Sequence, residues 1–144
     1  MFYIGFTTAA RTDEEGWRHA RGGLELGTES DSFAADLRFW TMRDYEKQWR
    51  EGVARLATGV VSSALITSYA GPGDAIHSMR PMWRVGQTVY LQDRLVVGRD
   101  IAPPNVAEQF YDLIGARSTH SDDGTPISEW SVSFADVLAF LGHE

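Results

Sequence analysis

The sequence predicts an α+β fold, a mostly antiparallel β-sheet with two main α-helices packed on it, and three observations carry that expectation. Short apolar–polar alternations bounded by glycine recur along the chain, a long stretch after Thr41 has helical period, and a shorter helical stripe lies near the end. With 144 residues the chain is sized for a single domain over 1–144, because two separate cores would each be hard to stabilise. An apolar share of 43% with five Trp supplies the core and argues against intrinsic disorder.

Each element follows from a local signal. Phe2, Ile4 and Phe6 alternate with Tyr3, Gly5 and Thr7, the pattern of a half-buried strand. Asp13 to Gly16 reads as a solvated turn, and Leu24-Glu25-Leu26, flanked by Gly22, Gly23 and Gly27, as a second short strand. Thr41 can cap a helix with Asp44 as its capping-box partner. Tyr45, Trp49, Val53 and Leu56 then form one stripe, while Glu46/Arg50 and Glu51/Arg55 face outward as i,i+4 pairs, and Gly59 ends the helix.

Val60 to Tyr69 is rich in β-branched residues without strict alternation, which predicts a central strand buried on both faces and stopped at Gly71-Pro72-Gly73-Asp74. Met82 to Val85 and Thr88 to Gln92 read as a hairpin about Gly86-Gln87, with Gly86 suited to a type II′ turn. Val89, Leu91, Leu95 and Val97 share one parity, but Asp93 interrupts it, so a bend or bulge is expected there. Pro103-Pro104 breaks the chain, Asn105 to Leu113 fits a short helix or a loop, and Ser121 to Pro126 is a turn-rich loop. Ile127 to Val132 reads as the last strand. Ser133 caps a terminal helix, with Asp136 three residues on and Phe134, Val137, Leu138 and Leu141 as its stripe.

Composition narrows function. There is no cysteine, hence no disulfide framework, and a reducing cytoplasmic setting fits. The N-terminus lacks a basic run before its few apolar residues, and Val60 to Tyr69 is too short and too interrupted to span a bilayer, so no membrane association is expected. A net charge of -7 disfavours nucleic acid and favours a cationic partner.

No pattern in the sequence calls for a cofactor, a metal or catalysis. His19, His77, His120 and His143 are scattered, with no spacing that would set two of them on one metal. Asp122-Asp123-Gly124 lacks the further oxygens of a calcium loop. Gly22-Gly23 to Gly27 lacks the Lys-Ser/Thr of a phosphate loop, which leaves those glycines as strand edges. Glu129, a carboxylate within a strand between Ser128 and Trp130, needs a cationic partner such as Arg117 or Arg84. A binding protein is therefore expected rather than an enzyme, with a small α+β enzyme or an unrelated regulatory module as rivals.

Several segments carry a resemblance. Phe39-Trp40, Asp44-Tyr45 with Gln48-Trp49, Leu65 to Ser68, Val89 to Gln92, and Asp123-Gly124 followed by Ile127-Ser128-Glu129-Trp130 occur in the order and spacing of one family. Over about residues 22 to 141 the chain resembles the CdiI-type immunity proteins of contact-dependent growth inhibition. The resemblance implies a protein that binds and blocks the C-terminal toxin domain of a CdiA-like effector, often a nuclease, and whose gene follows that of the toxin. It implies a structural role for Trp40, Asp44, Tyr45, Gln48, Trp49, Ser128, Glu129 and Trp130. On that reading the exposed carboxylates of the acidic loops become candidate toxin contacts, Asp122 and Asp123 first, Asp93 and Asp74 second.

Overall fold

The computed structural model describes residues 1–142, so His143 lies outside the described residues. Two antiparallel sheets, three α-helices and a closing 3-10 turn make up the α+β fold. The first sheet is built on β3 (Arg18–Leu26), which pairs on one side with β1 (Phe2–Phe6) and β2 (Arg11–Thr12), and on the other with β4 (Glu29–Asp36). The second orders β5 (Ser62–Ser68), β6 (His77–Val85), β7 (Thr88–Gln92) and β9 (Glu129–Ser133), with β8 (Arg94–Val96) beside β6. Along the chain α1 (Met42–Ala57) joins the two sheets, α2 (Val106–Tyr111) lies between β8 and β9, and α3 (Phe134–Ala139) follows β9 and runs into the 3-10 turn Phe140–Gly142.

The helix expected after Thr41 forms as its caps require. The Thr41 side chain accepts from the Asp44 amide, the Asp44 carboxylate accepts from the Thr41 amide, and Tyr45, Trp49, Val53 and Leu56 are all buried. Outward pairing is only part of its charged face, because Arg55 turns in, donating to Ser63 Oγ and lying 3.8 Å over the Tyr111 ring. The hairpin also forms about Gly86, whose φ of 61° with Gln87 outside the left-handed region matches the expected turn.

Several expectations need correction. There are two sheets rather than one. The segment read as Leu24 to Leu26 is the end of a nine-residue strand, in which Gly22 and Gly23 are interior positions rather than edges. The ring of Phe33, across from Gly22, fills the space a side chain would take. β4 escapes the sequence because Ser30, Asp31 and Ser32 break its alternation.

Within the segment Val60 to Tyr69 only Ser63 to Thr67 are buried on both faces, Val60 and Val61 being exposed ahead of the strand, and β5 ends its sheet. It reads as central because α1, not a strand, covers its free side. At Asp93 the chain leaves β7 and re-pairs with β6 as β8, and the parity flips: Val96 is buried while Leu95 and Val97 are exposed. The last strand starts at Glu129, leaving Ile127 and Ser128 outside it. Phe140 rather than Leu138 or Leu141 completes the buried set of the terminal helix, against Phe2.

Candidate functional site

The motif on α1 is built into the seam between helix and sheet. β5 pairs with β6 on one side only, so the polar backbone groups on its other side need partners. Gln48 supplies two: its Nε2 donates to the Ala64 carbonyl at 2.9 Å and its Oε1 accepts from the Ile66 amide at 2.7 Å. Trp49 Nε1 donates to the Ile66 carbonyl at 2.8 Å, and the Tyr45 hydroxyl accepts from the Tyr69 amide while donating to the Asp36 carbonyl. Burial pushes the Tyr45 hydroxyl well above the usual tyrosine range, so it remains a donor. The helix approaches so closely that a Cβ at Gly52 would stand 2.4 Å from the Ala64 carbonyl oxygen. Trp40 packs edge-on against Tyr45.

The second motif is also tied down. Glu129 takes two hydrogen bonds from Arg117, Nε to Oε2 at 2.8 Å and Nη2 to Oε1 at 2.5 Å, and a third from Gln92 Nε2 at 2.8 Å. Arg117 is the partner, whereas Arg84 lies over the Phe134 ring. These bonds, Arg117 first, hold the Glu129 carboxyl below the usual range. Arg117 also stacks 3.7 Å from the Tyr90 ring centroid, and Gln92 donates to the Ser118 carbonyl, fixing the 117–129 connection to β7. Ser128 precedes the strand, and Trp130 lies beneath the Arg80 guanidinium at 5.5 Å.

The four candidate carboxylates separate. Asp123 is committed to its own turn: it accepts from the Thr125 amide at 3.0 Å and from the Ser121 hydroxyl, which with Thr125 holds its carboxyl down to about 2. Asp122 is exposed beside it. Asp93 sits at the β7–β8 bend, 54% exposed, with Oδ1 3.3 Å from Arg80 Nε. Asp74 is exposed in the loop before β6. The register of β6 with β8 places Asp93 at one end of β8, and the Gly73 amide bond to Asp100, 2.7 Å, places Asp74 near the other.

Arg80 was missed by the sequence reading, although an arginine between Met79 and Pro81 in an apolar run is a usable signal. Its side chain is 4% exposed. Nη1 meets Asp31 at 2.6 Å, and the Asp93 carboxylate is near but off the N–H direction, so the buried Nε lacks a hydrogen-bond partner. Between Asp93 and Asp74 the same sheet end exposes Ile76, Leu95 and Val97, and a surface depression beside β8 is lined by Arg94, Leu95, Val97, Arg99 and Leu113. Among the described residues no group of three His, Asp or Glu side chains stands close enough to hold a metal ion, and no helix is long and apolar enough to cross a membrane.

The sequence profile of the CdiI N-terminal domain matches residues 35–140. The chain belongs to that family. A curated relative, the immunity protein CdiI of Enterobacter cloacae subsp. cloacae, is 26% identical over 108 residues, 72% of each chain. A solved structure described as a CdiA-CT/CdiI toxin and immunity complex from Enterobacter cloacae is similar with a TM-score of 0.84 at 22% identity, covering 99% of this chain and 97% of that one. The stretch of this CdiI-family chain that the profile spans takes in both the α1 motif and Ile127 to Trp130.

Proposed function

We propose that this chain is an immunity protein that binds and neutralises a cognate CdiA C-terminal toxin domain. Membership of the CdiI family carries the reading, supported by the near-complete overlap with the fold found in the Enterobacter cloacae toxin and immunity complex. Protection works by occupation of the toxin and not by catalysis, in the cytosol, against a toxin of nuclease type. The side chains that a catalytic reading would draw on support this: Tyr45, Gln48 and Glu129 are all committed to internal hydrogen bonds. The net charge of -7 suits a basic partner shaped to bind phosphate.

The test is calorimetry of the purified chain with the toxin domain encoded directly upstream of its gene. One-to-one binding that weakens with salt and abolishes toxin activity is the expected result; a toxin that stays active and unbound overturns the reading. An enzymatic reading has no observation in its favour among the described residues.

A further inference from the structure

An isolated surface leucine or valine is ordinary, and what carries weight is contiguity. Leu95 pairs across from Ser78 and Val96 from His77, and Ile76 and Val97 are the next residues of the two segments beyond that last pair, two positions along from Ser78 and Leu95. These three side chains, 59%, 66% and 62% exposed for Ile76, Leu95 and Val97, therefore form one apolar face at the end of the second sheet. β8 pairs with β6 alone, and its other side opens on the depression lined by Leu95, Val97, Arg99 and Leu113. A bare edge strand carrying exposed apolar residues favours pairing with another chain unless something covers it.

The charges around this face are arranged for a cationic visitor. Asp93 is half-exposed at one end; Asp74 and Asp100 are exposed at the other. Two of the arginines that could neutralise them are turned inward. Arg94 Nη1 donates to the carbonyls of Leu113 and Ile114 at 3.0 and 2.8 Å, and Arg80, bound to Asp31 at 2.6 Å, offsets only the half-exposed Asp93, which lies 3.3 Å from its Nε, and leaves Asp74 and Asp100 untouched. Arg99 is the exposed cation in the stretch, outnumbered by the carboxylates. An apolar centre bordered by one sign of charge is the anatomy of a specific protein interface.

Resting on the immunity reading above, we propose that the toxin domain docks on the face built by Ile76, Leu95 and Val97, between the carboxylates of Asp93 and Asp74. The partner presents an apolar surface of its own bordered by lysine or arginine. The acidic turn at Asp122-Asp123 is then outside the contact, its second carboxylate being spent on Ser121 and Thr125.

The experiment uses the full chain and the purified toxin domain encoded directly upstream, with surface plasmon resonance at two salt concentrations. Leu95→Arg and Val97→Arg, both at exposed positions and checked for folding by circular dichroism, are expected to lose affinity on the order of 100-fold, mainly through faster dissociation. Asp74→Lys is expected to slow association and flatten its salt dependence, and Val85→Arg, exposed on the β6–β7 hairpin, to bind as the unaltered chain does. Unchanged binding by both arginine variants overturns the docking face while leaving the immunity reading intact, and so does an equal loss in Val85→Arg. Light scattering that shows dimers split by Leu95→Arg, with toxin binding unaffected, assigns the face to self-association and overturns the proposal. Failure of the unaltered chain to bind overturns the immunity reading, and the docking face with it.

Discussion

The Gln48 side-chain oxygen accepts the backbone amide of Ile66 at 2.7 Å, so a helix residue does for β5 what a neighbouring strand would otherwise do. The same carboxamide donates to the Ala64 carbonyl and to the Tyr111 hydroxyl, and all of its partners are buried. Gln48→Leu leaves a backbone N–H and C=O without partners and is expected to destabilise the fold by about 2–4 kcal/mol. Gln48→Glu, which also removes the donor and buries a charge, is expected to cost at least as much. Urea denaturation checks both.

Close approach at Gly52 makes a second, independent prediction about the same seam. The atom that a new Cβ would meet is a backbone carbonyl oxygen, which cannot swing aside as a side chain can. Gly52→Ala therefore moves α1 off β5 despite alanine's better helix propensity. A loss of about 1–3 kcal/mol is expected in denaturant titration, against the gain of about 1 kcal/mol that the same change gives in an open helix.

Arg80 is a cation held inside the protein chiefly by one carboxylate. Asp31→Ala leaves the guanidinium with the poorly aligned Asp93 and a long bond to the Ser32 carbonyl, and a loss of about 2–3 kcal/mol is expected, less than for a fully buried pair because Asp31 is itself one-third exposed. Asp93→Ala should cost clearly less. Thermal melts of the two variants rank them.

Acid weakens the protein in two separate windows. His77 is buried, its Nδ1 accepts the Ala70 amide at 3.0 Å, and burial lowers its pKa. A group depressed in the folded state contributes stability above its unfolded value and loses it on acidification, so the first loss begins below about pH 6.5. Glu129, held down mainly by Arg117, gives a second loss of the same sign below about pH 4.3. Unfolding free energy measured from pH 7.5 to 3.5 should fall in both windows, and Glu129→Gln should shrink the lower one, leaving the part that Asp123 contributes.

Asp123 organises the 121–126 turn. Asp123→Ala removes the acceptor of the Thr125 amide, and hydrogen exchange at Thr125 is expected to speed up while β9 keeps its protection. Slow exchange at Thr125 in the variant would show that the turn holds without the carboxylate.

Much of this fold is written in local patterns, and the parts that are not share a cause. The Thr41/Asp44 box, the Tyr45–Trp49–Val53–Leu56 stripe and the Gly86 turn depend on residues within a few positions of one another, so spacing reveals them. β4 hides because Asp31, on its inner face, is there to meet Arg80, 49 positions away, and no local rule anticipates a polar core partner. β5 reads as central because its apolar content records burial, not the identity of what buries it. The site divides in the same way. Carboxylates in loops are visible in the sequence, whereas their division into the spent Asp123, the Asp93 shared with Arg80 and the exposed Asp74 depends on tertiary partners. The Leu95 and Val97 face was obscured by a parity that flips at Asp93.

Growth rescue measures immunity itself. The toxin domain encoded immediately upstream is induced in cells with and without this chain, alongside the Leu95→Arg variant. Growth should arrest without the chain, recover fully with it, and recover less or not at all with the variant. Cells that the toxin arrests equally in the presence of the unaltered, soluble chain would contradict the immunity reading.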